Sequence, residues 1–200
     1  MLYEEITASN LYKIDLEGQI ILQPDVSDGL NYAGYVIHSA VHSARPDAGC
    51  VIHTHTRTTM AVSAMKCGVL PITQTALRFY HSLSYHDYEG PAVDTDERKR
   101  PIADLGPNDV MMLRNHGSLV VGRTIPEAFN IAYYLEMACR TQIDALAGGG
   151  ELIFPPKETH DAVGRSVEPS PDNPLGSSDG SRDWPALLRI LDRIDPHYAS

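Results

Sequence analysis

The stretch from Val110 to Gly150 constrains this chain most. Val110-Met111-Met112-Leu113 and Ser118-Leu119-Val120-Val121 are apolar runs of strand length, and Arg114-Asn115-His116-Gly117 separates them. Runs this short with a glycine-containing turn between them predict two strands joined in a hairpin-like turn. Thr124-Ile125-Pro126-Glu127 follows, a hydroxyl cap with a glutamate three residues on, which is a capping box that opens a helix. That helix is expected to run from Pro126 to about Leu146, to bury Phe129, Ala132, Tyr133, Leu135, Met137 and Ile143, and to stop at Gly148-Gly149-Gly150. This order of strands and helix permits an α/β domain.

The rest of the chain supplies more elements of both kinds. Residues 7–15 and 18–22 read as two strands around a Glu17-Gly18 turn, so the chain is expected to enter a sheet at once. Segment 32–44 carries Val36, Ile37, Ala40 and Val41 at helical spacing and ends at Arg45-Pro46-Asp47. Cys50-Val51-Ile52 is a short buried strand running into His53-Thr54-His55, and 57–67 is a helix stopped at Gly68. These elements make up a domain over residues 1–150. Residues 151–182 turn rich in Pro, Gly, Ser and acidic residues and read as a flexible arm. Trp184, Leu187, Leu188, Ile190, Leu191 and Ile194 then restore an amphipathic helix within 183–200.

Charge and cysteine usage narrow the function. With 16 basic against 26 acidic residues the net charge is −10, which argues against a nucleic-acid or anionic-membrane partner. The basic run Arg98-Lys99-Arg100 follows Asp94, Asp96 and Glu97 and reads as a solvated loop. Cys50, Cys67 and Cys139 form no C-x-x-C pattern, which points to a reducing, cytoplasmic setting. No apolar run has transmembrane length.

Histidines carry the chemistry. On an extended backbone residues i and i+2 point the same way, so His53 and His55 can meet one ion. Two hydrogen-bonded, partly buried histidines are the alternative. His116 is next to Gly117, which permits a sharp turn and the close approach of another group; a solvated turn residue is the alternative here. Neutral imidazoles suit Zn²⁺, and three protein ligands with an open fourth position is the catalytic pattern. His38 and His42, one helical turn apart, could face one ion, but read as helix surface or a subunit contact. His86, Asp87 and Glu89 form a polar cluster that could supply an acid or base, with Asp87 and Glu89 the named candidates, against the alternative of a solvated loop. Tyr80, Tyr85 and Tyr88 can donate protons, but nothing in the sequence aims them at the histidines. Arg114 is either an anion holder or an ordinary ion-pair partner.

His53-Thr54-His55, the Arg114-Asn115-His116-Gly117 turn with Gly122 after it, and Ile125-Pro126-Glu127-Ala128-Phe129 together resemble the class II aldolase and adducin-head family. The likeness runs from about Glu5 to Leu146. The adducin-like branch is the nearer match, through Asn31 to Ala40, Tyr85 to Gly90, and Trp184 to Tyr198. The resemblance implies an αβα sandwich around a mixed, mostly antiparallel sheet, and zinc held by His53, His55 and His116. It further implies a homo-oligomer, commonly a tetramer, and lyase chemistry of carbohydrate metabolism, in which a small hydroxy-carbonyl substrate is cleaved by retro-aldol reaction. Two features depart from the sugar-phosphate aldolases. Alignment through Arg45-Pro46-Asp47 puts Gly34 where those enzymes carry an acidic residue, and their Gly-Asn-Leu/Ile-Ser phosphate segment falls ahead of Met1. The resemblance therefore implies aldolase activity that is weak or lost, with an adducin-like binding or scaffold module around a vestigial metal site as the alternative.

Overall fold

Each central strand sends alternate side chains to opposite faces, and both sets are apolar. The computed structural model describes residues 2–25, 29–90, 99–167 and 179–200. Its main sheet contains β3 (Cys50–Thr54), β4 (Leu83–His86), β5 (Val110–Leu113) and β6 (Gly117–Gly122), in the order β3-β6-β5-β4. The pairs β3–β6 and β5–β6 are antiparallel and β4–β5 is parallel, so the sheet is mixed and mostly antiparallel. On one face Val110, Met112 and Val120 pack with Val62 of α2 (Arg57–Ser63), Ala76 of α3 (Gln74–Leu77), and Leu135, Ala138 and Cys139 of α5 (Ile125–Ala147). On the other, Val51, Met111, Leu113, Leu119 and Val121 pack with Val41 of α1 (Tyr32–Ala44) and Leu105 of α4 (Lys99–Leu105). Helices cover both faces, giving the αβα sandwich expected. Strands buried on both faces read as unbroken apolar runs, as Val110–Leu113 does.

Local chemistry sets the helix starts. The Asn31 side chain accepts from the Gly34 N–H (3.2 Å), and the Thr124 hydroxyl accepts from the Glu127 N–H (3.2 Å). The capping box closes differently from expectation: Glu127 takes the Arg123 N–H (2.6 Å) and pairs with the Arg123 guanidinium (2.8 Å). The buried face of α5 also differs. Phe129 and Tyr133 are exposed, with Phe129 lying edge-on to Trp184, whereas Ala128, Leu135, Ala138, Cys139 and Gln142 face inward. Small residues win that face because the helix approaches the sheet closely. A Cβ at Gly122 would lie 2.5 Å from the Ala128 nitrogen.

Other expectations need correction. Residues 8–10 form a 3-10 turn, and the strands that follow, β1 (Lys13–Ile14) and β2 (Ile20–Leu22), make a separate two-stranded hairpin rather than part of the main sheet. The helix expected over 57–67 ends at Ser63, with Gly68 at φ +63 after the following turn. Within the stretch read as an arm, Lys157–Ser166 is a helix, α6. Its His160 and Gly164 are buried against Tyr80 and His81, and this contact outweighs the weak local pattern. Lys99 and Arg100 open α4 rather than continuing a loop; Arg98 and the acidic residues before it fall outside the described residues. The tail helix α7 is Trp184–Ile194. Among the described residues no helix is long and apolar enough to cross a membrane.

Candidate metal centre

The sheet brings three strand ends to one edge. Because β3 and β5 both run antiparallel to β6, they point the same way, and β4 runs parallel to β5. The C-terminal ends of β3, β4 and β5 therefore share one edge. His53 and His55 lie at the end of β3, and His116 sits in the turn that leaves β5.

Their rings gather there. Centroids are 4.6 Å apart for His53–His55, 4.9 Å for His53–His116 and 4.5 Å for His55–His116. One ring nitrogen from each lies within 4.8 Å of the other two. The Nε2 atoms of His53 and His55 are 2.9 Å apart. His53 Nδ1 is 2.9 Å from the Ser118 carbonyl, so Nδ1–H donates there and the Nε2 lone pair is left for a ligand.

Two backbone features make the gathering possible. Asn115 adopts φ +56, the left-handed conformation that asparagine tolerates better than most residues. Gly117 is packed so tightly that a Cβ would fall 2.3 Å from the Thr54 carbonyl oxygen and 3.2 Å from His55 Cδ2. The glycine thus lets β6 and the end of β3 approach until the imidazoles meet.

Burial favours the neutral form of two of the rings, His116 and His53. Burial, followed by the neighbouring His53, His55 and His86, pushes the His116 pKa down to about 4. Burial, with a smaller contribution from His55, also lowers that of His53 against the opposing pull of the Ser118 carbonyl. A histidine titrating near 6.5 when unfolded and near 4 when folded takes up its proton more readily in the unfolded chain between those values. Stability of the metal-free protein is therefore expected to fall as pH drops from about 6.5 towards about 4, and to level off below. Thermal unfolding across that range checks this, and His116→Gln should flatten the dependence.

An element outside the triad anchors its third member. Thr56, next to His55, caps α2, and its hydroxyl donates to Glu136 Oε2 on α5 (2.7 Å). The Thr58 hydroxyl donates to the same carboxylate, which Arg140 also meets at 3.3 Å. Glu136→Ala is expected to cost about 2 kcal/mol by leaving two hydroxyls without their acceptor. Urea unfolding of the variant would check it.

Other candidates sort by position. Asp87 and Glu89 are exposed, and with His86, Tyr88 and Arg114 they line a cavity that His116 also lines. Glu89 is held by Arg100, with Nε–O distances of 2.6 and 2.8 Å. Arg114 donates to the Met65 carbonyl (2.8 Å) and stacks 4.2 Å from the Tyr85 ring centroid, and so is engaged with the protein. Of the three tyrosines considered, Tyr88 has its ring 6.1 Å from that of His116 between centroids; the Tyr85 hydroxyl instead meets the Val69 N–H. His38 is half-buried with His53 nearby, and His42 Nδ1 lies 3.2 Å from the Ala48 carbonyl, so neither is simply helix surface. Gly34 lines a second pocket with His38 and offers no side chain there. The sequence alone does not reveal the Ser118 carbonyl, Glu136, or Asp104 of α4, whose Oδ2 lies 2.7 Å from His86 Nδ1. The first is a backbone group, and the other two are remote from the histidines in the chain.

An αβα sandwich with a histidine triad on the edge of a mixed sheet defines an aldolase-type fold with a metal-capable site. Residues 1–143 match the Class II Aldolase and Adducin N-terminal domain, and the chain belongs to that family. An aldolase II superfamily protein from Pseudomonas syringae, of known structure, is 46% identical, with a TM-score of 0.89 over 99% of this chain and 77% of its own. Alpha-adducin of Mus musculus is 41% identical over 97% of this chain, which spans 27% of that longer protein. The L-fuculose 1-phosphate aldolase of Glaciozyma antarctica shares the fold at 24% identity, with a TM-score of 0.79 over 98% of this chain and 73% of its own.

Proposed function

We propose that this protein is a zinc-dependent lyase of the class II aldolase type, with His53, His55 and His116 as its metal ligands. The observation that carries the reading is the convergence of three imidazole nitrogens, one from each histidine, within 4.8 Å. The donor set fits: three imidazoles with no thiolate or carboxylate among them suit Zn²⁺ with an open position. When bound there, a divalent cation supplies Lewis acidity to the carbonyl and hydroxyl oxygens of a hydroxy-carbonyl substrate. The chain's own residues do the positioning. The Ser118 carbonyl fixes the tautomer of His53, Gly117 sets the approach of His116, and burial keeps both rings unprotonated at neutral pH.

Phosphorylated sugars are poor candidates for the substrate. Among the described residues, Arg114 in the cavity lining and Arg100 beside it are engaged with the protein, while Asp87 and Glu89 add negative charge. Small, unphosphorylated hydroxy-ketones and hydroxy-aldehydes suit it better. We further infer a homo-oligomer, commonly a tetramer in this family, which light scattering at micromolar concentration tests. Element analysis of the purified protein, paired with retro-aldol assays on fuculose 1-phosphate, ribulose 5-phosphate and unphosphorylated hydroxy-ketones, tests the whole reading. Metal with turnover of the unphosphorylated compounds supports it.

A second reading, a non-catalytic binding module, is favoured by Gly34 and by the 41% identity to alpha-adducin. Stoichiometric zinc with no turnover of any compound in the screen would select it.

A further inference from the structure

The metal reading leaves open which group moves the proton. β4 ends at His86, and its parallel pairing with β5 sets His86 beside Leu113. The Arg114 N–H donates to the His86 carbonyl (2.8 Å), tying this strand end to the turn that carries His116. Leu83 and Tyr85 pack on the α5 side of the sheet, so alternation sends Ser84 and His86 to the α1–α4 side, which His53 also occupies. From α4, Asp104 places Oδ2 2.7 Å from His86 Nδ1, and the His86 side chain is only 12% exposed. A carboxylate accepting Nδ1–H leaves the Nε2 lone pair free to act as a base. His86 and His116 line the same cavity.

Among the described residues, the charged groups around His86 are few. Glu89 Oε2 is 3.9 Å from Nε2, too far for a hydrogen bond, and is clamped by Arg100 of α4. Asp87 follows on the same segment, and Arg114 is turned towards Met65 and Tyr85. α1 brings only Val36, Ile37, Ala40 and Val41 to the cavity wall. His86 is thus a nitrogen base on a largely apolar wall, oriented by a carboxylate, in a cavity shared with a proposed metal ligand.

We propose that His86 is the general base of this site and that Asp104 is its positioning residue; the proposal rests on the metal reading above. The step removes a proton from the hydroxyl-bearing carbon next to the carbonyl of a hydroxy-ketone. The C–H bond breaks, an N–H bond forms at His86 Nε2, and the electron pair becomes the C=C bond of the enediolate, with the negative charge on the former carbonyl oxygen. Asp104 holds the imidazolium so formed. Return of the proton from His86 reverses the step, so in D₂O the substrate gains deuterium at that carbon.

The test is deuterium exchange into hydroxyacetone and dihydroxyacetone, followed by proton NMR, with the zinc-loaded full chain. The parent is expected to accelerate exchange, and His86→Gln to lose about 100-fold or more of that rate while keeping its zinc and its unfolding midpoint. Asp104→Asn should lose about tenfold, and Asp104→Glu should recover part of the loss, which a merely structural role for Asp104 would not predict. Exchange by zinc-replete His86→Gln at the parental rate, or no exchange by the zinc-loaded parent with either ketone, would overturn the proposal. Zinc content reports separately on the triad: a parent that takes up no zinc removes the metal reading and this proposal together.

Discussion

His55→Ala is expected to eliminate stoichiometric zinc binding while leaving the fold largely intact. His55 is the exposed member of the triad, and its ring packs against the other two imidazoles. Its removal opens no core cavity and strands no buried polar group. It does take one of three donors from an ion that needs them all, and two imidazoles with waters hold zinc far more weakly. Element analysis of the purified variant should give zinc well below one per chain, with a far-ultraviolet circular dichroism spectrum close to that of the parent. Zinc at parental stoichiometry would mean that the ion binds elsewhere. Metal removal by a chelator should likewise leave the parent folded, since both apolar clusters pack without involving the triad.

The second large effect is expected at Gly117, on stability. The added methyl of Gly117→Ala would fall 2.3 Å from the Thr54 carbonyl oxygen, a backbone atom that moves only if β3 and β6 part. Those strands are in register from Cys50–Gly122 to Thr54–Ser118, so a local shift spreads along the pairing. Overpacking at such a place costs about 3 kcal/mol or more, measurable as a lower urea midpoint at unchanged slope. The same shift moves His116 relative to His53 and weakens zinc binding. A variant as stable as the parent would show that the strand contact yields easily.

Much of this was legible in the sequence because it is local. Asn31 and Arg45-Pro46-Asp47 bracket α1, and Thr124 and Gly148 bracket α5, so those helices sit where their caps put them. The cluster of three histidines was legible for the same reason: two lie two residues apart at the end of a strand, and the third sits in a turn beside a glycine. What escaped is non-local. Leu83–His86 becomes a strand only by pairing in parallel with β5, a partner distant in the chain. Asp104 meets His86 across 18 residues, from a helix that the basic run Arg98–Arg100 disguised as a loop. The inward face of α5 was misread because large aromatics dominate a hydrophobic pattern, whereas close approach to the sheet selects Ala128, Ala138 and Cys139.

The proposed site places three histidines from two strand ends around one zinc ion. X-ray absorption at the zinc edge of the purified, zinc-loaded chain addresses it directly. The expected spectrum shows one zinc per chain with three imidazole nitrogens at about 2.0–2.1 Å and a further oxygen from water. Zinc–sulfur scattering at about 2.3 Å, or fewer than three imidazoles around the ion, would contradict it.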